Sequence, residues 1–333
     1  MAAVTPAGAT GIPEADSILS GVVGILDMLF PGRILATYVT GSYADGTAIS
    51  ASDLDVSVIF KGNIEPDERE RIWQLADHLS LFSLIRVDLE GKGEEEVVAS
   101  GYELKLGGLL VSGDDIKSRI QLPPVEQYVR ETMHGPPFAF MVRVARQRDW
   151  AAYPLDYPDP SGEFYGYDND PIEGSQDTKV LVAIAGHVAA ALIALRTGRF
   201  VSSKSQSFRL YRELVDDNWA NLLDGIYKFC RTRWQYAIPS GSEDREKLKG
   251  ICRRLLKLEN HFLGIYRDYL LKEISGDDYN SALRALNRLC EVVYTDRAVL
   301  KALKLAANSG DAAMQGAAAE ALARIEEAHP KPA

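Results

Sequence analysis

The sequence predicts an α+β chain: an amino-terminal unit of alternating helices and strands followed by an all-helical bundle. Two observations carry this. Up to about residue 120, short apolar or alternating runs are separated by amphipathic helical patterns; from Gln176 onward the apolar spacing is helical almost without a break. A third observation marks where chemistry is concentrated. The stretch Thr40 to Phe60, TGSYADGTAISASDLDVSVIF, places a glycine-serine turn ahead of an Asp-x-Asp pair that leads into an apolar strand.

Taken in order, Ile18, Val22, Ile25, Leu26 and Leu29 predict a helix over Pro13–Phe30, stopped by Pro31-Gly32. Leu35–Val39 reads as a short buried strand, and a second strand follows Asp53. Glu65–Phe82 repeats the helical pattern through Ile72, Leu75, Ala76 and Leu79, with its acidic residues placed early, as the helix dipole favours. Ser83–Glu90 alternates as a strand, Leu106–Val111 reads as an edge strand, and Val125–Met133 as a helix after Pro123-Pro124. These elements predict a catalytic domain over residues 1–130. Residues 131–175 form a linker and acceptor-side loop, and residues 176–333 the helical bundle. Within the bundle, Val180, Ile184, Val188, Leu192 and Leu195 define a helix closed by Gly198. Further helices are expected over 204–216, 219–236, 242–274 and 278–293, and the alanine-rich stretch 296–327 as a closing helical pair or a packing face for a partner. His187 reads as a satisfied core histidine or a substrate contact, and Trp219, Tyr227, Phe229 and Trp234 as packing residues.

In an extended strand alternate side chains share a face, so Asp53 and Asp55 point one way while Leu54, Val56 and Val58 enter a core. Like charges held that close call for a cation or a proton, and Mg²⁺ suits carboxylate and phosphate oxygens. Upstream, Gly41 lets the backbone approach a ligand, and Ser42 with neighbouring N–H groups can cradle phosphate oxygens. A third carboxylate is expected on a neighbouring strand. In Ser83–Glu90 the residues Ile85, Val87 and Leu89 form the apolar face and Arg86, Asp88 and Glu90 the other. Asp88 is assigned to complete the metal site or accept the proton of an attacking hydroxyl, with Glu90 as the alternative two residues on.

The pattern G-S-x-x-x-G, then D-x-D, then an apolar strand bearing V-D-L resembles the nucleotidyltransferase superfamily, which includes DNA polymerase beta, CCA-adding enzymes and antibiotic nucleotidyltransferases. Gly41, Ser42, Asp53, Asp55 and Asp88 fill that pattern. The resemblance implies a small mixed sheet flanked by helices, two Mg²⁺ ions, and attack of an acceptor on the α-phosphate of a nucleoside triphosphate such as ATP. The stretch VLVAIAGHVAAALIALRTGRFVSSKSQSFRLYRELVDDNW further resembles the second domain of aminoglycoside adenylyltransferases, with Thr197-Gly198, Arg199 and Lys204 matching. It implies that Lys204 reaches nucleotide phosphates across the domain cleft, and that an acidic acceptor-binding residue stands near Glu173 or Asp177. Asp177, at a helix entry, equally suits an N-cap. The turn here is one residue longer, VSSK, and an arginine on the preceding helix is replaced near Ala190.

Composition narrows the partners. A net charge of −10 in 333 residues disfavours broad nucleic-acid affinity, and favours a small cationic acceptor drawn to an acidic cleft. Three dispersed cysteines indicate neither a disulfide framework nor a zinc site. No membrane span or signal peptide is read, so the expected location is cytoplasmic. The segment Tyr153–Gly174, with six acidic residues, five aromatics and no basic residue, is either an acceptor-pocket loop or a locally packed connection. The activity this implies is Mg²⁺-dependent transfer of AMP to an aminoglycoside hydroxyl. A protein- or RNA-directed transferase, a second-messenger synthase or an inactive nucleotide-binding scaffold are the alternatives.

Overall fold

The computed structural model describes residues 8–144, 146, 150–172 and 174–328. The architecture is α+β. The chain divides into two compact units, one built from the amino terminus to Val129 together with Ile193–Leu214, the other from Arg130–Leu192 and Val215 to the carboxy terminus.

The first unit is organised on a four-stranded mixed sheet. Helix α1 (Pro13–Leu29) precedes strand β1 (Ile34–Val39), a single helical turn α2 (Gly41–Ala44) and β2 (Leu54–Phe60). Helix α3 (Pro66–Phe82) leads to β3 (Val87–Gly93), short helices α4 (Glu94–Ser100) and α5 (Tyr102–Gly107), and β4 (Leu109–Gly113). The strand order is β3-β2-β1-β4, with β2 and β3 parallel and β1 antiparallel to both β2 and β4. Alternation gives each face a separate core. On one face Leu54, Val56, Val58 and Phe60 pack with Leu19, Val22 and Leu26 of α1 and Ile72 of α3. On the other, Ala36, Tyr38 and Ile59 meet Val97, Leu104, Ile116 and Ile120. The buried Tyr38 hydroxyl donates to Asp115 Oδ1 (2.9 Å) and accepts from Ile116 N–H (2.8 Å); burial, chiefly, pushes its pKa up to about 12.

A carboxylate–guanidinium pair ties the sheet to α3. Arg33 donates through Nε and Nη2 to the two oxygens of Glu68 (2.7 and 2.9 Å), and also to the carbonyls of Lys61 and Asn63 (both 2.9 Å). Glu68 in turn accepts from Glu65 N–H, in the capping box that starts α3.

Three elements depart from the sequence reading. The third strand starts at Val87 instead of Ser83, because the Ser83 hydroxyl accepts from Ile85 N–H in a tight turn that leaves Leu84 91% exposed. The interval before β4 is occupied by α4 and α5, and β4 begins at Leu109. Helix α6 (Val125–Val142) continues past Met133 through Pro136 and Pro137.

Helix α7 (Lys179–Thr197) is followed by α8 (Lys204–Leu214). The segment Ile193–Leu214, which periodicity groups with the bundle, packs in the first unit: Phe200 stacks on Tyr128 at 4.2 Å, and the Tyr128 hydroxyl accepts from Val201 N–H (2.9 Å). Among the described residues α7 is the one helix long and apolar enough to cross a membrane, but 72% of its apolar window is buried within the protein, as in a core helix.

The second unit continues with α9 (Ala220–Ile226), a π-helical stretch Tyr227–Arg233, the 33-residue α10 (Ser242–Ile274), α11 (Tyr279–Glu291), α12 (Arg297–Ala307) and α13 (Ala312–Ala328). The alanine-rich end is therefore a helical pair. In the acidic segment Leu155, Phe164 and Tyr167 are buried. Asp170 pairs with Arg143 (2.8 Å), while Glu259 accepts from Tyr167 (2.6 Å) and Arg146 (2.7 Å). Much of this segment is thus spent on local packing. His187, expected in the core, is exposed on the outer side of α7.

Glu68 supplies a stability test with a definite sign. Its hydrogen bond to Arg33 holds its pKa below the ordinary 4.5, so the pair stabilises the fold above that value and stops doing so as the pH falls through the lowered one. Urea unfolding of wild type and Glu68→Gln should therefore differ at pH 7, wild type being the more stable, and converge in strong acid.

Candidate active site

The site is built where β1 hands over to β2. After Val39 the chain makes the single turn Gly41–Ala44, closed by Asp45 N–H onto Gly41 O (3.2 Å) and Thr47 N–H onto Ser42 O (2.9 Å). Thr40 N–H donates to Asp55 O (2.9 Å), which pins the entrance of the turn to β2. The leading N–H groups of a helical turn have no acceptor within the helix and are free in principle for an anion.

Gly41 has φ of +64°, a conformation side chains disfavour. A Cβ at this position would also lie 2.3 Å from Asp55 Oδ2. The bare Cα therefore does two jobs: it lets the turn form and makes room for the Asp55 carboxylate directly against the loop. Asp53 and Asp55 are both partly exposed while Leu54 and Val56 are buried, so the alternation read from the sequence is realised. The Tyr43 phenol, buried within the turn, has its pKa raised by burial first and then by the charges of Glu14 and Asp53.

Asp88 lies in parallel register directly beside Asp55, and Glu90 falls opposite Ser57, one step further from the turn. The register thus places Asp88, and not Glu90, next to the acidic pair; Glu90 is engaged by Lys92 at 2.9 Å. The Asp88 carboxylate accepts from Arg86 Nε (3.1 Å), with both side chains about half exposed. Among the described residues no group of three or more His, Cys, Asp or Glu side chains is assembled as a metal cage. Mg²⁺ seldom asks for one: it is held by one or two carboxylates together with substrate phosphates and water. Asp53 and Asp55 fit the carboxylate part of that donor set.

Lys204 opens α8 and belongs to the same compact unit as the turn. The link between them is Asp45, a residue the sequence reading did not single out. Its Oδ1 accepts from Thr47 N–H (3.1 Å) and Thr47 Oγ1 (2.6 Å), and its Oδ2 accepts from the Ser205 hydroxyl. Partial desolvation raises the Asp45 pKa, but the hydrogen bonds from Ser205, Thr47 and Ser203 outweigh it and hold it below the usual carboxylate value. The signal available in the sequence was D-G-T, an Asx-turn pattern.

In the second unit Asp177 accepts from Lys179 N–H (2.7 Å) and from the Ser175 hydroxyl (2.9 Å), so it caps the entry to α7. Glu173 lies outside the described residues.

Residues 19–103 match the family model described as a nucleotidyltransferase domain. Over that stretch the amino-terminal unit is similar to nucleotidyltransferase domains. The matched stretch takes in Gly41, Ser42, Asp53, Asp55 and Asp88. No curated protein matches the chain. Among solved structures, the chain is similar to spectinomycin adenyltransferase AAD(9) from Enterococcus faecialis, determined with ATP and spectinomycin: 11% identity, TM-score 0.46, with 73% of this chain and 98% of that one covered.

The dual role of Gly41 can be isolated with a control. Gly46, at φ +71°, has open space around its Cα. Gly41→Ala and Gly46→Ala should each lose about 1–2 kcal/mol of stability from the left-handed backbone, measured by thermal unfolding. Only Gly41→Ala should also displace Asp55, measured as a shift of the Asp55 amide and carboxyl resonances.

Proposed function

We propose that the protein is a Mg²⁺-dependent adenylyltransferase that moves AMP from ATP to a hydroxyl of a small cationic acceptor, with aminoglycosides as the acceptor class. The observation that supports the nucleotidyl-transfer reading is the packing of the Asp55 carboxylate against Gly41, so close that a Cβ there would lie 2.3 Å from Oδ2; it sets a carboxylate beside the glycine-serine turn. The acceptor class rests on the sequence similarity of the 180–219 stretch to aminoglycoside adenylyltransferases, and on the net charge of −10.

In this reading the N–H groups of the Gly41–Ala44 turn and the Ser42 hydroxyl hold the β- and γ-phosphates. Asp53 and Asp55 are the protein ligands for one or two Mg²⁺ ions, which when bound supply neutralisation of the triphosphate charge. Asp88, one strand over, orients the acceptor hydroxyl and takes its proton. The hydroxyl oxygen bonds to the α-phosphorus, the bond from that phosphorus to the α–β bridging oxygen breaks, and pyrophosphate leaves. Lys204 offsets charge on the departing group. Glu173 and Asp177 are the carboxylates assigned to acceptor amino groups, Asp177 in addition to its capping role.

The test is incubation with labelled ATP, Mg²⁺ and a panel of aminoglycosides. Label should move to a small-molecule acceptor with release of pyrophosphate. Label on protein or RNA, or formation of oligonucleotides, would replace the acceptor assignment, and no turnover with any acceptor would remove the activity. Asp53→Asn and Asp55→Asn should each lower turnover by a factor of roughly 100 or more, with unfolding temperature nearly unchanged because both side chains are partly solvated.

A further inference from the structure

We infer that Asp45 is a positioning residue that couples the phosphate-binding turn to the helix carrying Lys204; the inference rests on the proposed nucleotide-binding role of that lysine. Three observations converge on it. First, Asp45 ends the Gly41–Ala44 turn, closing it through its own N–H onto Gly41 O at 3.2 Å. Second, its Oδ1 is taken up inside the loop by both donors of Thr47, which fixes the carboxylate plane. Third, its Oδ2 receives the hydroxyl of Ser205, 160 residues further along the chain and adjacent to Lys204.

The far end of this contact is prepared as carefully as the near one. Ser203 and Ser205 hydroxyls lie 2.9 Å apart, Gln206 N–H donates to Ser203 Oγ (3.2 Å), and the Gln206 side chain accepts from Ser202 N–H (2.6 Å). The connection leading into α8 is fastened by Val201 N–H to Tyr128 and by the Phe200–Tyr128 stack. The first turn of α8 is therefore seated within the first unit, and Asp45 is the point at which it is bonded to the loop. A lysine at the first position of a helix gains nothing from the helix dipole, and bonding of the adjacent Ser205 to Asp45 fixes the backbone from which it projects. A carboxylate accepting three hydroxyl or amide donors makes a charge-assisted clamp, and its loss should cost ligand affinity at Lys204 without touching the ligand.

Two measurements decide the inference. Amide exchange at Gln206 and Ser207 should accelerate about tenfold or more in Asp45→Ala and Ser205→Ala, and remain at the wild-type rate in Ser205→Thr, which keeps the hydroxyl. Unchanged exchange in both alanine variants would overturn the clamp. Calorimetry with ATP and Mg²⁺ then tests the coupling: Asp45→Ala and Lys204→Ala should each weaken binding about five- to twentyfold, and the double variant should bind no worse than Lys204→Ala alone. Multiplicative losses would mean that Asp45 acts independently of Lys204, and would overturn the positioning role. If the wild-type protein binds no ATP, the nucleotidyl-transfer reading fails, whereas the exchange data still decide whether Asp45 holds α8.

Discussion

The site depends on a steric vacancy. One missing methyl group, at Gly41, allows the backbone to enter a left-handed turn and allows the Asp55 carboxylate to sit where that methyl would be. Asp53 is carried two residues before Asp55 on the same face, and Asp88 is brought alongside by parallel pairing of β2 and β3. Asp45 leaves the turn at its other end, aimed at α8. A sheet with strong apolar faces on both sides supplies the rigidity, so that the carboxylates emerge from strand ends fixed by burial of Leu54, Val56, Val87 and Leu89.

Much of this was legible in the sequence because it is written in short-range patterns. Alternation in LDVSV and IRVDL assigned the faces correctly, and the helical spacing in α1 and α3 located both layers of one core. The assignment of Asp88 over Glu90 required the register of two strands, which depends on long-range pairing; a shift of two residues preserves every apolar position. The late start of β3 was hidden for a similar reason, since Leu84 fits an apolar pattern while the Ser83 turn puts it in solvent. Asp45 was illegible as a clamp because its partner is 160 residues away.

The helical half illustrates how tertiary packing overrides local pattern. Periodicity marks Ile193–Leu214 as part of a bundle, yet Tyr128 captures this segment through Phe200 and Val201 and seats it in the first unit. His187 falls in an apolar run and is nonetheless exposed, because a helix buried on most of its circumference still presents one side outward. The aromatic and acidic wealth of residues 153–174 is partly consumed in structure, through Arg143–Asp170 and the Glu259 group. Charge density alone overstated what is left for an acceptor.

The central claim is that the Gly41 turn and the Asp53–Asp55 strand share one metal–triphosphate. A crystal structure with Mn²⁺ and a non-hydrolysable ATP analogue, phased on the manganese anomalous signal, tests it most directly. The account predicts anomalous density within about 2.0–2.3 Å of carboxylate oxygens from both Asp53 and Asp55, with phosphate oxygens on the N–H groups of the turn. Manganese bound elsewhere, or a triphosphate seated away from Gly41 and Ser42, would contradict it.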